Sequence, residues 1–332
     1  MVAPVVPHEL PRFDRADGAA KVTGGGRYAA DMSLTGMAFA AFRYADVPHA
    51  KLISVDTSFA ETMPGVVAVL TANDVPDVQY SPVIPDRTLF AKGTIRYEGE
   101  VLAAVAAMTP AQAAAAAAAI VVRYEERESV VDLEAALDPD SPLVHEDWQS
   151  YAVSGDTVRD RNVCSFSSIT KGDIETGLAE SEHVITSRYE ADASHAAPIE
   201  PRAILAQWQG SNVTIWTSTQ VPFDARAGVC QTLGMATNKV RIIVPHLGGG
   251  FGGKCGFHFE AHIAALARAA NRPVKLVFTR REEFLAPDRR REGMIVELTT
   301  GVRADGTIAA RRGRLLIDNG AYAADAAFFP QL

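Results

Sequence analysis

The stretch Gly248-Gly249-Gly250-Phe251-Gly252-Gly253-Lys254 stands between β-forming residues at 240–244 and a segment at 259–270 whose apolar positions recur at helical spacing. The order strand, glycine loop, helix describes a ligand site built from backbone. Open N–H groups and the positive end of a following helix suit a phosphate, and a Cβ in the loop would hold such a guest away. The bland alternative is a flexible turn. Two nucleotide motifs nearly fit. Gly248, Gly253 and Lys254 satisfy G-x-x-x-x-G-K, but Cys255 stands where a P-loop needs Ser or Thr to ligate magnesium, and a thiol is a poor ligand for that ion. Gly248, Gly250 and Gly253 satisfy G-x-G-x-x-G, yet Phe251 is bulky and the acid expected about 20 residues on is absent, since Glu282 and Glu283 lie farther along. His258 and His262 share a helical face, but Glu260 does not directly follow the first His as a zinc peptidase requires, so packed or solvated histidines are expected.

Working outward from the loop, strands are expected at 184–189, 203–208, 213–217, 274–278 and 314–318. Helices are expected at 173–183 and at 225–233, the second closed by Gly234 as a C-cap. Upstream, 37–42, 66–70 and 101–106 read as strands, Pro110 opens a helix, and 120–124 returns as a strand, which together describe an α/β domain of its own. Between 132 and 173 the periodicity fades into prolines and polar residues, as in a surface connection. The fold class is therefore α+β (mixed α/β). The expected division is an N-terminal extension at 1–20, a first domain at 21–135, a linker at 136–165 and a second domain at 166–332. The chain stops after an apolar loop with no closing element, so the second domain is read as incomplete at its C-terminus.

The chain has 332 residues, 48% hydrophobic and 22% charged, which supports about two globular domains rather than disorder. A net charge of -8 argues against a nucleic-acid binder, because phosphate-backbone affinity needs a clustered basic face. Only Arg289, Arg290 and Arg291 cluster; they could bind a substrate carboxylate, support a cofactor or stay solvated. No apolar run approaches the roughly 18 residues needed to span a membrane, and no secretory signal opens the chain, so a cytoplasmic location is expected. Three cysteines, Cys164, Cys230 and Cys255, with no CxxC spacing fit reduced thiols.

Several motifs in order now make a specific resemblance: Thr217-Ser218-Thr219-Gln220, a helix ending at Leu233-Gly234, the strand at 240–244 and the glycine loop. Upstream stand Lys21-Val22-Thr23-Gly24, Met63-Pro64-Gly65-Val66 and Tyr97-Glu98-Gly99-Glu100-Val101; His195, Pro198, Glu200, Pro201 and Asp318-Asn319-Gly320-Ala321-Tyr322 complete the set. Together they resemble the molybdopterin-binding (large) subunit of the xanthine dehydrogenase and aldehyde oxidoreductase family, N-terminal half only. The resemblance implies an α/β hammerhead domain followed by the first molybdopterin-binding domain. It implies a molybdenum–molybdopterin cofactor, in its dinucleotide form. Gln220 would donate a hydrogen bond to an oxo ligand of the metal, a task for which a neutral amide is suited. Gly249, Gly250, Phe251, Gly252 and Gly253 would present backbone and an aromatic edge to the cofactor. The metal has no direct protein ligand here. His195 and Glu200 are read as residues that hold a loop.

The implied chemistry is hydroxylation of an aromatic N-heterocycle or an aldehyde, with water as the oxygen source. Electrons would leave through iron–sulfur clusters and FAD on partner chains, since three cysteines cannot build those clusters. A second molybdopterin-binding subunit would bring the general-base Glu, which has no counterpart in the matched segments. Purine-oxidising members resemble one another in carrying Glu at the position of Cys255, which puts purine specificity in doubt. Cys255 is left as a substrate contact or a filler of space, and Arg290 as a substrate-pocket candidate. The alternatives are a P-loop nucleotide-binding protein, or a subunit that stores or assembles the cofactor without catalysis.

Overall fold

The computed structural model describes residues 15–81, 83–153, 158–286 and 290–323. Most of the expected N-terminal extension, Arg289 of the arginine cluster and the apolar stretch at 324–332 lie outside the described residues.

The principal sheet has seven strands in the order Val240–Ile243, Asn212–Thr217, Ala203–Gln209, Val274–Val277, Ala38–Tyr44, Val101–Ala107 and Val66–Thr71. Strands from both expected domains contribute to it. The strand Ala38–Tyr44 runs parallel to Val274–Val277, with Ala38 opposite Val274, so the upstream and downstream segments share one sheet. Strand pairing across more than 230 positions leaves no trace in local periodicity.

Val101–Ala107 is buried at every position, which explains its unbroken apolar run: both faces of a central strand are covered. Ala103 and Val105 pack against Ala116, Ala117 and Ile120 of the helix Pro110–Ala119 and its C-cap. Ala104 and Ala106, on the opposite face, join the core that includes Ile263, Leu266 and Ala267 of the helix Glu260–Ala269. Small alanines on the strand let both helices approach closely.

Local signals placed most elements. Thr109 caps the helix Pro110–Ala119 by accepting from the Gln112 amide, with Pro110 in the first turn. Gly234 closes the helix Pro222–Leu233 at φ 63°, the left-handed conformation that a residue without Cβ adopts at little cost. The expected helix at 173–183 is shorter, Ile174–Ala179, and gives way to the strand His183–Ala191. That strand pairs with Gly293–Val302, which pairs in turn with Ile308–Asp318 to form a separate three-stranded sheet. The linker region is not featureless: Val158–Asp160 and Val163–Phe166 form a hairpin, and the Asn162 amide donates to Pro142 O at 2.9 Å.

The end of the long strand Ile308–Asp318 is tied back to the upstream segment by buried polar groups. Tyr322 donates to Glu100, and the Ala323 amide donates to Asp86 Oδ2 at 2.7 Å. Asp86 Oδ1 is buried with no hydrogen-bond partner among the described residues, and burial pushes its carboxyl up to about 6. Because the folded-state value lies above the unfolded one near 3.8, the stability tied to this group is complete below pH 4 and is lost as pH rises through 6. Asp86→Asn is therefore expected to raise unfolding free energy at pH 7 by up to about 3 kcal/mol, at about 1.4 kcal/mol per pKa unit. Urea titrations at pH 4 and pH 7 check this; an equal effect at both pH values removes the assignment.

Candidate active site

Two crossing segments build the site, residues 195–202 and the glycine loop, with Thr217–Gln220 between them. The strand Asn212–Thr217 ends in a buried run of hydroxyls. Thr217 Oγ1 donates to Glu260 Oε1 at 2.9 Å, the Ala203 amide donates to Ser218 Oγ at 3.0 Å, and Thr219 Oγ1 donates to Lys254 O at 3.3 Å. The Gln220 amide also donates to Lys254 O, at 3.0 Å. Gln220 is thus fixed to the glycine loop before its side chain is considered.

That side chain has one orientation. Gly252 N and Lys254 N both donate to Gln220 Oε1, at 3.0 and 3.1 Å. Two N–H donors identify the oxygen, and the planar amide then turns Nε2 away as a donor with no acceptor among the described residues. Gly250 packs on the same side chain: a Cβ there would fall inside the Gln220 carboxamide.

The glycines therefore serve three purposes, and only one is that read from the sequence. At Gly248 and Gly250 the room a Cβ needs is filled by Glu200 and Gln220. Gly249 and Gly252 take left-handed backbone, φ 100° and 85°, which side chains rarely adopt. Gly252 alone faces open space. The loop amides are not all free either, since those of Gly248, Gly252 and Gly253 donate within the protein. The consecutive amides of Gly249, Gly250 and Phe251 donate to nothing among the described residues, and successive uncommitted N–H groups can receive an anion or acceptor. Phe251 lies at its mouth, 77% exposed and left-handed at φ 51°. A bulky residue in that region costs on the order of 1–2 kcal/mol, a strain typical of functional loops.

One feature of the phosphate-cradle reading is corrected. Lys254 does not reach toward a ligand: it is 1% exposed, and its Nζ donates to Glu200 Oε2 at 2.8 Å. Burial lowers its pKa, and the paired carboxylate opposes that shift. A P-loop lysine cannot work from inside the protein, which removes the nucleotide alternative. The helix Glu260–Ala269 starts after several intervening residues, and Glu260 already accepts from Thr217 and from the His258 amide.

Glu200 clamps the loop, as expected: Oε2 accepts from Gly248 N at 2.8 Å as well as from Lys254, while Glu200 N donates to Gly248 O. His195 Nδ1 accepts from Ala197 N at 2.9 Å, its ring lies 4.7 Å from that of Phe284, and burial lowers its pKa. Below the loop, Arg202 donates to Glu283 and to Gly253 O, and both side chains are buried. Neither Arg202 nor Glu283 stood out in the sequence; a charge that pairs across 81 positions looks like any surface charge.

Cys255 lies at the end of the loop, half-buried, with its carbonyl accepting from His258 Nε2 at 2.6 Å. Arg290 is placed elsewhere: it pairs with Asp318 at 2.9 Å, at the end of the strand Ile308–Asp318, and makes no bond to the loop. His262 is buried, with its ring bonded to Leu89 O, and the described residues hold no His, Cys, Asp and Glu cluster suited to a metal ion.

Two family models match the chain. One described as a molybdopterin cofactor-binding domain matches residues 156–331, more than half of the chain; one described as the aldehyde oxidase and xanthine dehydrogenase a/b hammerhead domain matches 23–128. The chain belongs to this family. It is 33% identical over 311 residues to the nicotinate dehydrogenase large molybdopterin subunit of Eubacterium barkeri, covering 93% of this chain and 70% of that one. It is 31% identical over 323 residues to the nicotine 6-hydroxylase large subunit of Paenarthrobacter nicotinovorans, over 94% of this chain and 38% of that one. Among solved structures, quinoline 2-oxidoreductase from Pseudomonas putida superposes with a TM-score of 0.79 at 30% identity, over 91% of this chain and 38% of that one. The family's hammerhead and cofactor-binding domains thus appear in the expected order, and the chain spans about 40% of the length of most relatives it matches. Among the described residues, no helix is long and apolar enough to cross a membrane.

Proposed function

We propose that this chain supplies one wall of a molybdenum hydroxylase centre, in a cytoplasmic complex that oxidises an aromatic N-heterocycle or an aldehyde. The orientation of Gln220 carries the reading. With Oε1 engaged by two loop amides, Nε2 is a neutral donor held rigidly beside the open N–H triplet of Gly249, Gly250 and Phe251. Those residues fit a molybdopterin: the amides suit anionic or oxo acceptors, and the exposed Phe251 ring would keep water from them. The cofactor, when bound in its dinucleotide form, supplies the two-electron chemistry, with water as oxygen source. This chain's residues bind it, orient it and donate hydrogen bonds. Names among the relatives, nicotinate dehydrogenase, nicotine 6-hydroxylase and quinoline 2-oxidoreductase, favour an N-heterocycle. The general-base Glu would come from a second molybdopterin-binding polypeptide, and electrons would pass to iron–sulfur and FAD partners.

The purified complex is expected to contain molybdenum and pterin in equal amounts. Gln220→Ala should lower metal occupancy or turnover by about 10- to 100-fold, the usual cost of losing a support to a metal's ligands. Metal analysis and pterin fluorescence measure the first, and steady-state kinetics the second. A complex without molybdenum, or a variant equal to wild type in both, would refute the proposal.

A further inference from the structure

A cavity of about 70 Å³ opens to solvent between Ile84 and Asp86, residues of the linker region and the segment 319–323. That volume equals roughly two waters of liquid, enough for a solute of formate or acetate size and too little for an N-heterocycle or a pterin. None of its lining residues belongs to the glycine loop or to 195–202, so it lies outside the site described above.

Asp86 stands in its wall and is 7% exposed. Oδ2 accepts from the Ala323 amide, whereas Oδ1 has no hydrogen-bond partner among the described residues. A buried polar atom left unpaired costs about 1–3 kcal/mol, and in a native fold it marks a place for a water, an ion or a ligand. The neighbouring side chains are committed. Asn162 Oδ1 accepts from the Val144 amide, His145 is bonded to Tyr151 Oη and Ala321 O, and the Cys164 thiol donates to Asn319 Oδ1 at 3.4 Å. Arg159 and Arg161, on the hairpin of the linker region, line the same cavity. Each spends one Nη2 on a backbone carbonyl, Tyr151 O at 3.1 Å and Ser141 O at 2.7 Å, and neither meets a carboxylate among the described residues. A guanidinium has five N–H donors in a planar fork, so most of each fork is left for a ligand. With two cations and one carboxyl, the lining is net positive whether or not Asp86 is ionised.

We propose that this cavity binds a small carboxylate, a monoanion of formate or acetate size, whose oxygens are held by the Arg159 and Arg161 guanidiniums and by Asp86 Oδ1. A carboxylate accepts a guanidinium fork through two parallel bonds. Two carboxyl groups share a contact only when one of them carries a proton, and here it is Asp86, whose carboxyl burial pushes up to about 6. The groups around it hold their charge between about pH 5.5 and 7.5. Arg87 and Arg96 on its own segment stay cationic, as do Arg159 and Arg161. Burial raises Tyr151 and Tyr322, pushes Cys164 up to about 11 and lowers His145 to about 4. Proton uptake by Asp86 therefore accompanies binding, which is strong below the value of about 6 and weakens as pH rises through it. The proposal does not depend on the molybdenum reading.

The test is a titration of the 332-residue chain with sodium formate, followed by NMR through the indole N–H of Trp148, which lines the cavity and is assigned with Trp148→Phe. A saturable shift is expected below about 100 mM formate, as for a weak specific site. Affinity should be at least about tenfold greater at pH 5.5 than at pH 7.5. Asp86→Asn should bind at pH 7.5 as tightly as the wild type does at pH 5.5, with no pH dependence: its amide oxygen keeps the Ala323 contact, and Nδ2 donates where Oδ1 stood. Arg159→Met and Arg161→Met should each weaken binding by about tenfold or more, as for a lost charge-assisted bond. Val158→Thr, exposed on the same hairpin, should leave it unchanged. Should an arginine variant fail to fold, Asp86→Asn still decides. The absence of a saturable shift, an affinity that is flat or rises with pH in the wild type, or sulfate bound as tightly as formate overturns the proposal.

Discussion

Gly250→Ala is expected to reduce turnover of the assembled enzyme by about 100-fold or more while leaving the fold largely intact. The added Cβ would occupy the position of the Gln220 carboxamide, whose Oε1 holds the Gly252 and Lys254 amides. Relief requires either Gln220 or the loop to move, and a misplacement of about 1 Å in a catalytic array costs on the order of 100-fold. Stability should fall by only about 1–3 kcal/mol, the usual cost of overpacking. Gly252→Ala is the control: it meets no neighbouring atom, and its penalty comes from the left-handed backbone alone. Hydrogen exchange separates the two effects. Gly250→Ala should speed exchange at the Gly252 and Lys254 amides, because their shared acceptor has shifted. Wild-type exchange and wild-type kinetics together would show that Gln220 does not depend on this contact.

Arg202→Met is expected to cost about 3–5 kcal/mol, the largest stability effect of any single substitution at the site. Glu283 is fully buried, and removal of its cation leaves an uncompensated charge in the interior. The pair also has a local role, since Arg202 donates to Gly253 O and its own amide donates to Glu283 Oε2 at 2.8 Å. Arg202→Met with Glu283→Leu should recover most of the stability, because an apolar pair of similar volume avoids the desolvation cost. It should not recover cofactor retention, because Gly253 O has lost its donor. Thermal unfolding and metal content report the two quantities separately. A double variant that regains both would leave the buried pair with a purely structural role.

The sequence by itself determined the elements and the kind of site. Caps and turns are local, so Pro110 and Gly234 placed helix ends correctly, and the unbroken apolar run at 101–106 marked a buried strand. The glycine loop together with Thr217–Gln220 identified the family, because short ordered motifs survive without any knowledge of what they touch. What the loop's residues do was decided only by the tertiary structure. Lys254 has the chemistry of a phosphate ligand, but Glu200 turns it inward across 54 positions. Gln220 Nε2 faces outward because two amides more than 30 positions away claim its oxygen. Arg290 looked available to a substrate and is paired with Asp318. A side chain's type limits which bonds it can make; only the packing of distant segments determines which of them it makes, and hence which donors remain for a ligand.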